Sequence, residues 1–166
     1  MEFNLPLILA TALLPLIAGF IWYHPKVFGT VWMHAAGVSP EKPKGGSMIK
    51  IFVLTYVLSF FAAFSISFAV IHQFHVFSIL LDEPGFMDKG SEVNNLYTGF
   101  MEKYGNNFRT FKHGALHGTI TGLLLITPVI AVNALFEQKK FKYMAVNGGF
   151  WIFCFAIMGG IICAFM

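Results

Sequence analysis

The chain has 166 residues, 57% of them hydrophobic and 11% charged, with a mean hydropathy of +0.70. Soluble domains carry about 25% charged residues, so the composition excludes a water-soluble globular protein and indicates an all-α integral membrane protein. The net charge of +3 comes from lysines divided among loops, and without a basic stripe there is no footprint for nucleic acid.

Residues 3–23 form the first apolar run, close to the roughly 20 residues that cross a bilayer. Glu2 is the only charge before it; no basic leader precedes it, so a retained span is expected rather than a cleaved signal peptide. Pro6 suits a first helical turn, whereas Pro15 removes a backbone hydrogen bond mid-span and predicts a kink. Pro25 disfavours helix at His24 and ends the span. Trp22 and Tyr23 then stand where aromatic residues anchor spans at the membrane interface, as does Trp32 further on.

After Pro25, Phe28, Val31, Trp32, Ala35 and Ala36 fall on one face and Lys26, Thr30 and His34 on the other, the pattern of a helix lying in the membrane surface. Gly37 ends this first interfacial helix, and Ser39 to Gly46 reads as a turn-rich linker. Ser47 is the expected N-cap of the second span, residues 48–72, whose apolar character continues to Leu81 before Asp82-Glu83-Pro84-Gly85 turns the chain.

An outer loop at 82–110 follows, the one sizeable aqueous segment. Within it Val93, Leu96, Tyr97, Phe100, Met101 and Tyr104 repeat at helical spacing, and Ser91 and Gly105 supply start and stop signals. They predict a second amphipathic helix at about 92–104, laid over the bundle mouth or on the lipid surface.

The third span, residues 111–136, opens on the most informative stretch of the chain. Gly114, Gly118 and Gly122 recur every four residues, leaving a strip nearly free of side chains along which another helix can approach closely. His113, His117 and Thr121 run beside it at the same spacing. Thr127-Pro128 predicts a kink lower in the span. In the fourth span, residues 143–166, Ala156, Gly160 and Ala164 repeat the small-residue spacing, so the two rows are read as the contact between spans three and four, with a homodimer seam as the alternative. The two cysteines, Cys154 and Cys163, read as small apolar fillers, and Asn133 and Asn147 as a pair able to bond across the helices for about 1 kcal/mol.

Lysines set the expected orientation. Lys26, Lys42, Lys44 and Lys50 follow the first span, Lys139, Lys140 and Lys142 follow the third, and the loop between spans two and three holds five of the eight acidic residues. The positive-inside rule then places the lysine loops in the cytoplasm and both termini outside.

Gly19-Phe20-Ile21-Trp22-Tyr23-His24-Pro25-Lys26-Val27-Phe28-Gly29-Thr30-Val31-Trp32-Met33 resembles the tryptophan-tyrosine, proline, phenylalanine-glycine, tryptophan signature of small four-span bacterial proteins grouped as domain of unknown function 1761. The resemblance extends to Leu116-His117-Gly118, Asn133 to Glu137, Asn147-Gly148-Gly149 and Met158-Gly159-Gly160. It implies a fold and a bacterial inner-membrane location, and it brings no reaction.

Four histidines form the most chemical constellation. If spans two and three are neighbours, His72 and His75 approach His113 and His117, and spacings of i, i+3 and i, i+4 pair imidazoles on a helix face as divalent metal sites require. Asp82 or Glu83 could add a carboxylate. Hydrogen bonding to loop backbone and water is the bland alternative, and no cofactor is otherwise expected. Trp22, Tyr23, Phe28 and Trp32 could line a lipid or quinone pocket, although membrane anchoring accounts for them. No nucleophile-and-base arrangement, phosphate loop or cysteine-rich metal motif is visible, which disfavours an enzyme. The first functional reading is therefore an interaction or accessory subunit, as a homo-oligomer or within a larger membrane complex; the second is a metal-binding or small-solute transport protein using the outer histidines.

Overall fold

A computed structural model describes residues 3–38 and 46–166, without the side chains of Gly46 and Ser47. The linker expected at 39–46, with Lys42 and Lys44, and the Ser47 cap thus lie outside the described residues, apart from the backbone of Gly46 and Ser47. The described residues contain helices and no strand: α1 (Leu5–Thr11), α2 (Leu14–Trp22), α3 (Thr30–Ala36), α4 (Gly46–Val70), α5 (Gln73–Leu80), α6 (Glu92–Tyr104), α7 (Phe111–Thr121), α8 (Thr127–Phe136) and α9 (Phe141–Phe165). Four stretches are long and apolar enough to cross a bilayer: Leu5–Trp22, Met48–Val70, Phe111–Phe136 and Phe141–Phe165. The chain is a multi-pass membrane protein built as an up-down bundle.

Each discontinuity has a local cause. Pro15 lacks the N–H that would bond to Thr11, and the first span breaks there into α1 and α2. In the third span Pro128 likewise frees a carbonyl, and the chain takes a wide π turn over Gly122–Ile126 in which the Thr127 hydroxyl donates to Gly122 O at 2.8 Å. Between α4 and α5 the chain breaks at Ile71 and His72 without proline or glycine. Tertiary contacts hold that break: Ile71 is fully buried, and the buried Gln73 donates through Nε2 to Asn107 O at 2.9 Å. The segment expected to become one surface helix after Pro25 is a π turn over Pro25–Gly29 followed by α3, which Gly37 ends at φ +72°.

The fourth span is the hub. Helix α9 touches the other three spans and α3, and ten of its 25 residues are buried, whereas the third span buries Gly114, Gly118, Gly122 and Ala134. Its inner face supplies Phe150, Cys154, Phe155, Met158, Ile162 and Cys163 to a core completed by Ile8 from α1 and Ala63, Ile66 and Val70 from α4. Helices α5 and α6 form a hood over the end of the bundle where α9 finishes. Ser91 caps α6 by accepting from Asn94 N at 3.1 Å, and the Phe77, Phe86 and Tyr97 rings join the two hood helices at centroid separations of 5.3 to 6.0 Å. At the opposite end Lys139 Nζ donates to Ala36 O at 2.6 Å, drawing the turn before α9 against α3.

Candidate functional site

Two features meet on α7. On one side, Gly114, Gly118 and Gly122 lie flat against α9. A Cβ on Gly114 would strike the Gly159 carbonyl and Cys163; on Gly118 it would strike the Phe155 carbonyl; on Gly122 it would fall 2.7 Å from Ile152 Cα. The three glycines therefore seat against Ile152, Phe155, Ala156, Gly159 and Cys163 of the same chain. Gly160, one residue round from Gly159, makes room for the Phe111 ring, and Ala164 borders a surface depression beside Arg109 at the end of α9.

On the other side, the histidines gather where the hood meets the bundle. Thr110 caps α7 by accepting from His113 N at 3.3 Å, and the i, i+4 spacing puts the His113 and His117 rings 4.5 Å apart. The break after α4 swings His72 across to them. Its Nε2 lies 3.0 Å from His113 Nε2, and its ring centre 4.8 Å from that of His117. One ligating nitrogen from each of these three falls within 4.8 Å of the others. His75 stands apart, its ring 6.5 Å from His72, and Asp82 and Glu83, beyond α5, do not join the group. His72 is held below the usual histidine range, by partial burial first and then by the neighbouring His117 and His75 imidazoles.

The wall behind the cluster holds residues to which no sequence pattern points. Phe108 adopts a left-handed backbone with φ +61° and lays its ring against His113 at 5.0 Å. Arg109 Nε donates to Cys163 O at 3.0 Å, near the carbonyl end of α9, and Cys163 Sγ lies 3.4 Å from Val70 O and 3.3 Å from Phe108 O. Cys163 thus links α9, the α4 terminus and the loop before α7. A left-handed phenylalanine carries no signature in sequence, since asparagine, aspartate and glycine dominate such positions.

At the opposite end, Trp22, Tyr23 and Trp32 form an internal knot. Trp22 Nε1 donates to Val146 O at 3.1 Å, and its ring stacks near Phe28 and Phe153. Tyr23 Oη donates to Asn147 Oδ1 at 3.0 Å, while Trp32 packs edge-on against Tyr23. Gly29 lets the π turn close, because a Cβ there would collide with the Tyr23 carbonyl. Asn147 is thereby engaged with Tyr23 and with Tyr143 O, and does not reach Asn133.

A family model described as protein of unknown function (DUF1761) matches residues 6–163, nearly the whole chain, and the chain belongs to that family. No curated protein and no solved structure matches it.

Proposed function

We propose that this chain is an interaction protein of the bacterial inner membrane, which pairs with a second copy of itself through the outward face of α8. Asn133 carries this reading. Its carboxamide offers two donors and an acceptor, yet it is exposed on α8, one turn inside the end of the span, without a side-chain hydrogen bond among the described residues. At the boundary of the hydrocarbon water is scarce, and a partner across a helix pair satisfies such a group in its place. Interhelical bonds from polar side chains contribute about 0.6 to 2 kcal/mol in membranes, and a two-fold axis would set Asn133 of one copy against Asn133 of the other.

The flanking residues suit that arrangement. Val129 and Phe136 continue the same face at helical spacing and are 55% and 87% exposed, and among the spans α8 packs chiefly against α9. Gly114, Gly118 and Gly122 are consumed inside the chain, which leaves this stripe as a polar-centred surface for association. The lysine-bearing turns near α3 and before α9 favour a cytoplasmic position for that end, with the hood and both termini outside.

Native mass measurement after gentle solubilisation tests the proposal. A dimer that becomes monomeric on Asn133→Val is expected. A monomer with no companion, or a complex that survives Asn133→Val, overturns it.

A further inference from the structure

We propose that His72, His113 and His117 bind one divalent transition-metal ion of the zinc type, at the junction of the second and third spans. This inference is independent of the association through α8, which lies at the other end of the third span.

Zinc–imidazole bonds are about 2.0 to 2.1 Å, so two nitrogens on one tetrahedral ion sit about 3.3 to 3.4 Å apart. The Nε2 atoms of His72 and His113 are 3.0 Å apart, and a small outward turn of either ring brings them to that separation. The third nitrogen lies inside the 4.8 Å limit of the group, and rotation about the His117 side-chain bonds brings it to the ion. In the metal-free protein the short contact is a hydrogen bond between two neutral rings. Metal binding turns the donor ring to its other tautomer, with the proton on Nδ1, so both Nε2 lone pairs face the ion.

Donor chemistry selects the ion. The group contains three imidazoles and no carboxylate or thiolate. Magnesium and calcium require oxygen ligands, whereas neutral imidazole suits zinc, copper, nickel and cobalt. Three protein ligands leave a fourth position for water or a small anion. A cavity of about 310 Å³ opens beside His72, between Gln73, Val76, Phe100, Tyr104 and Phe108, and gives that ligand room.

The scaffold holds the donors in place. His113 and His117 alternate with Gly114 and Gly118, whose backbone is pressed on α9, so the imidazole pair cannot rotate about the helix axis without opening that seam. His72 sits in the break between α4 and α5, flanked by buried Ile71 and by Gln73, which is tied to Asn107 O. An ion here clamps the end of span two to the start of span three.

The test uses full-length protein without a polyhistidine tag, stripped by chelator, and titrated with Zn²⁺ by calorimetry and with Co²⁺ by visible absorption, which reports coordination geometry. One ion per chain is expected. His72→Gln, His113→Gln and His117→Gln should each weaken binding at least about tenfold, the lower bound for loss of a supporting group around a metal. His75→Gln should bind like the parent. Zn²⁺ should raise the melting temperature of the parent and of His75→Gln, and not of the other three; matching metal-free melting curves identify variants that are folded. Absence of stoichiometric binding overturns the proposal, as does parent-like binding by a variant carrying His72→Gln, His113→Gln and His117→Gln together, or loss of binding in His75→Gln.

Discussion

Substituting Gly118 by leucine is expected to destabilise the single chain, and its size can be worked from the α7–α9 seam. A Cβ at Gly118 would lie 2.6 Å from the Phe155 carbonyl carbon and 3.0 Å from Ala156 Cα, where carbon pairs ordinarily rest at about 3.5 to 4.0 Å. The obstacle is backbone, so relief requires the helices to separate by roughly 1 Å, and a gap of that size forfeits about a quarter to a half of each dispersion contact along the seam. Overpacking in tight interiors costs about 1 to 3 kcal/mol, and leucine adds three carbons beyond the first clash, which places the loss at the upper end. For a chain of this length about 3 kcal/mol corresponds to roughly 6 to 12 °C in melting temperature. Thermal denaturation in detergent checks this against two controls. Leu124→Phe, at a site 69% exposed on the third span, should melt like the parent. Gly99→Ala, where a Cβ meets nothing within 4 Å, should strengthen α6 by up to about 1 kcal/mol. Parent-like melting of Gly118→Leu accompanied by a changed oligomer size would refute the reasoning, because the glycine strip would then face another chain.

Tyr23→Phe removes the hydroxyl that donates to Asn147 and should lower stability by about 1 kcal/mol; a double-mutant cycle with Asn147→Ala that returns no coupling would show that this bond does not hold the first span to the fourth. The depressed His72 sets a pH dependence. A histidine whose folded pKa lies below its unfolded value near 6.5 contributes stability that is intact above that value and is lost as pH falls through the folded pKa. The melting temperature should therefore drop from pH 7.5 toward acid more steeply in the metal-free parent than in His72→Gln, and equal slopes would mean that neither partial burial nor the His117 and His75 imidazoles disfavour charge on His72.

What the sequence makes legible here is local. Four apolar runs of bilayer length, the backbone bonds denied by Pro15 and Pro128, the Ser91 cap and the close-packing strip at Gly114, Gly118 and Gly122 follow from rules that act within one or two turns. The histidine cluster divides along the same line. His113 and His117 share a face because α7 is continuous between them. Spacing of i, i+3 leaves His75 one turn from His72, its ring 6.5 Å away, whereas the break at Ile71 and His72 places His72 beside α7, and the contact of Gln73 with Asn107 that holds this break lies far along the chain. Asn147 is similarly settled at a distance: Tyr23 reaches it across 124 residues and leaves Asn133 facing outward. Cys163 looks like filler in a hydrophobic run, and only the approach of Val70 O and Phe108 O makes it a junction.

Disulfide cross-linking in native membranes tests most directly whether two copies meet across α8. Cys154 and Cys163 are buried, so a cysteine placed by Val129→Cys, one turn from Asn133 on the same exposed face, reports on that face with the Asn133 carboxamide intact, and Leu58→Cys on the exposed side of α4 serves as control. A dimer-sized product is predicted under mild oxidation for Val129→Cys and not for Leu58→Cys. No product from Val129→Cys, or equal yields from both positions, would contradict the pairing.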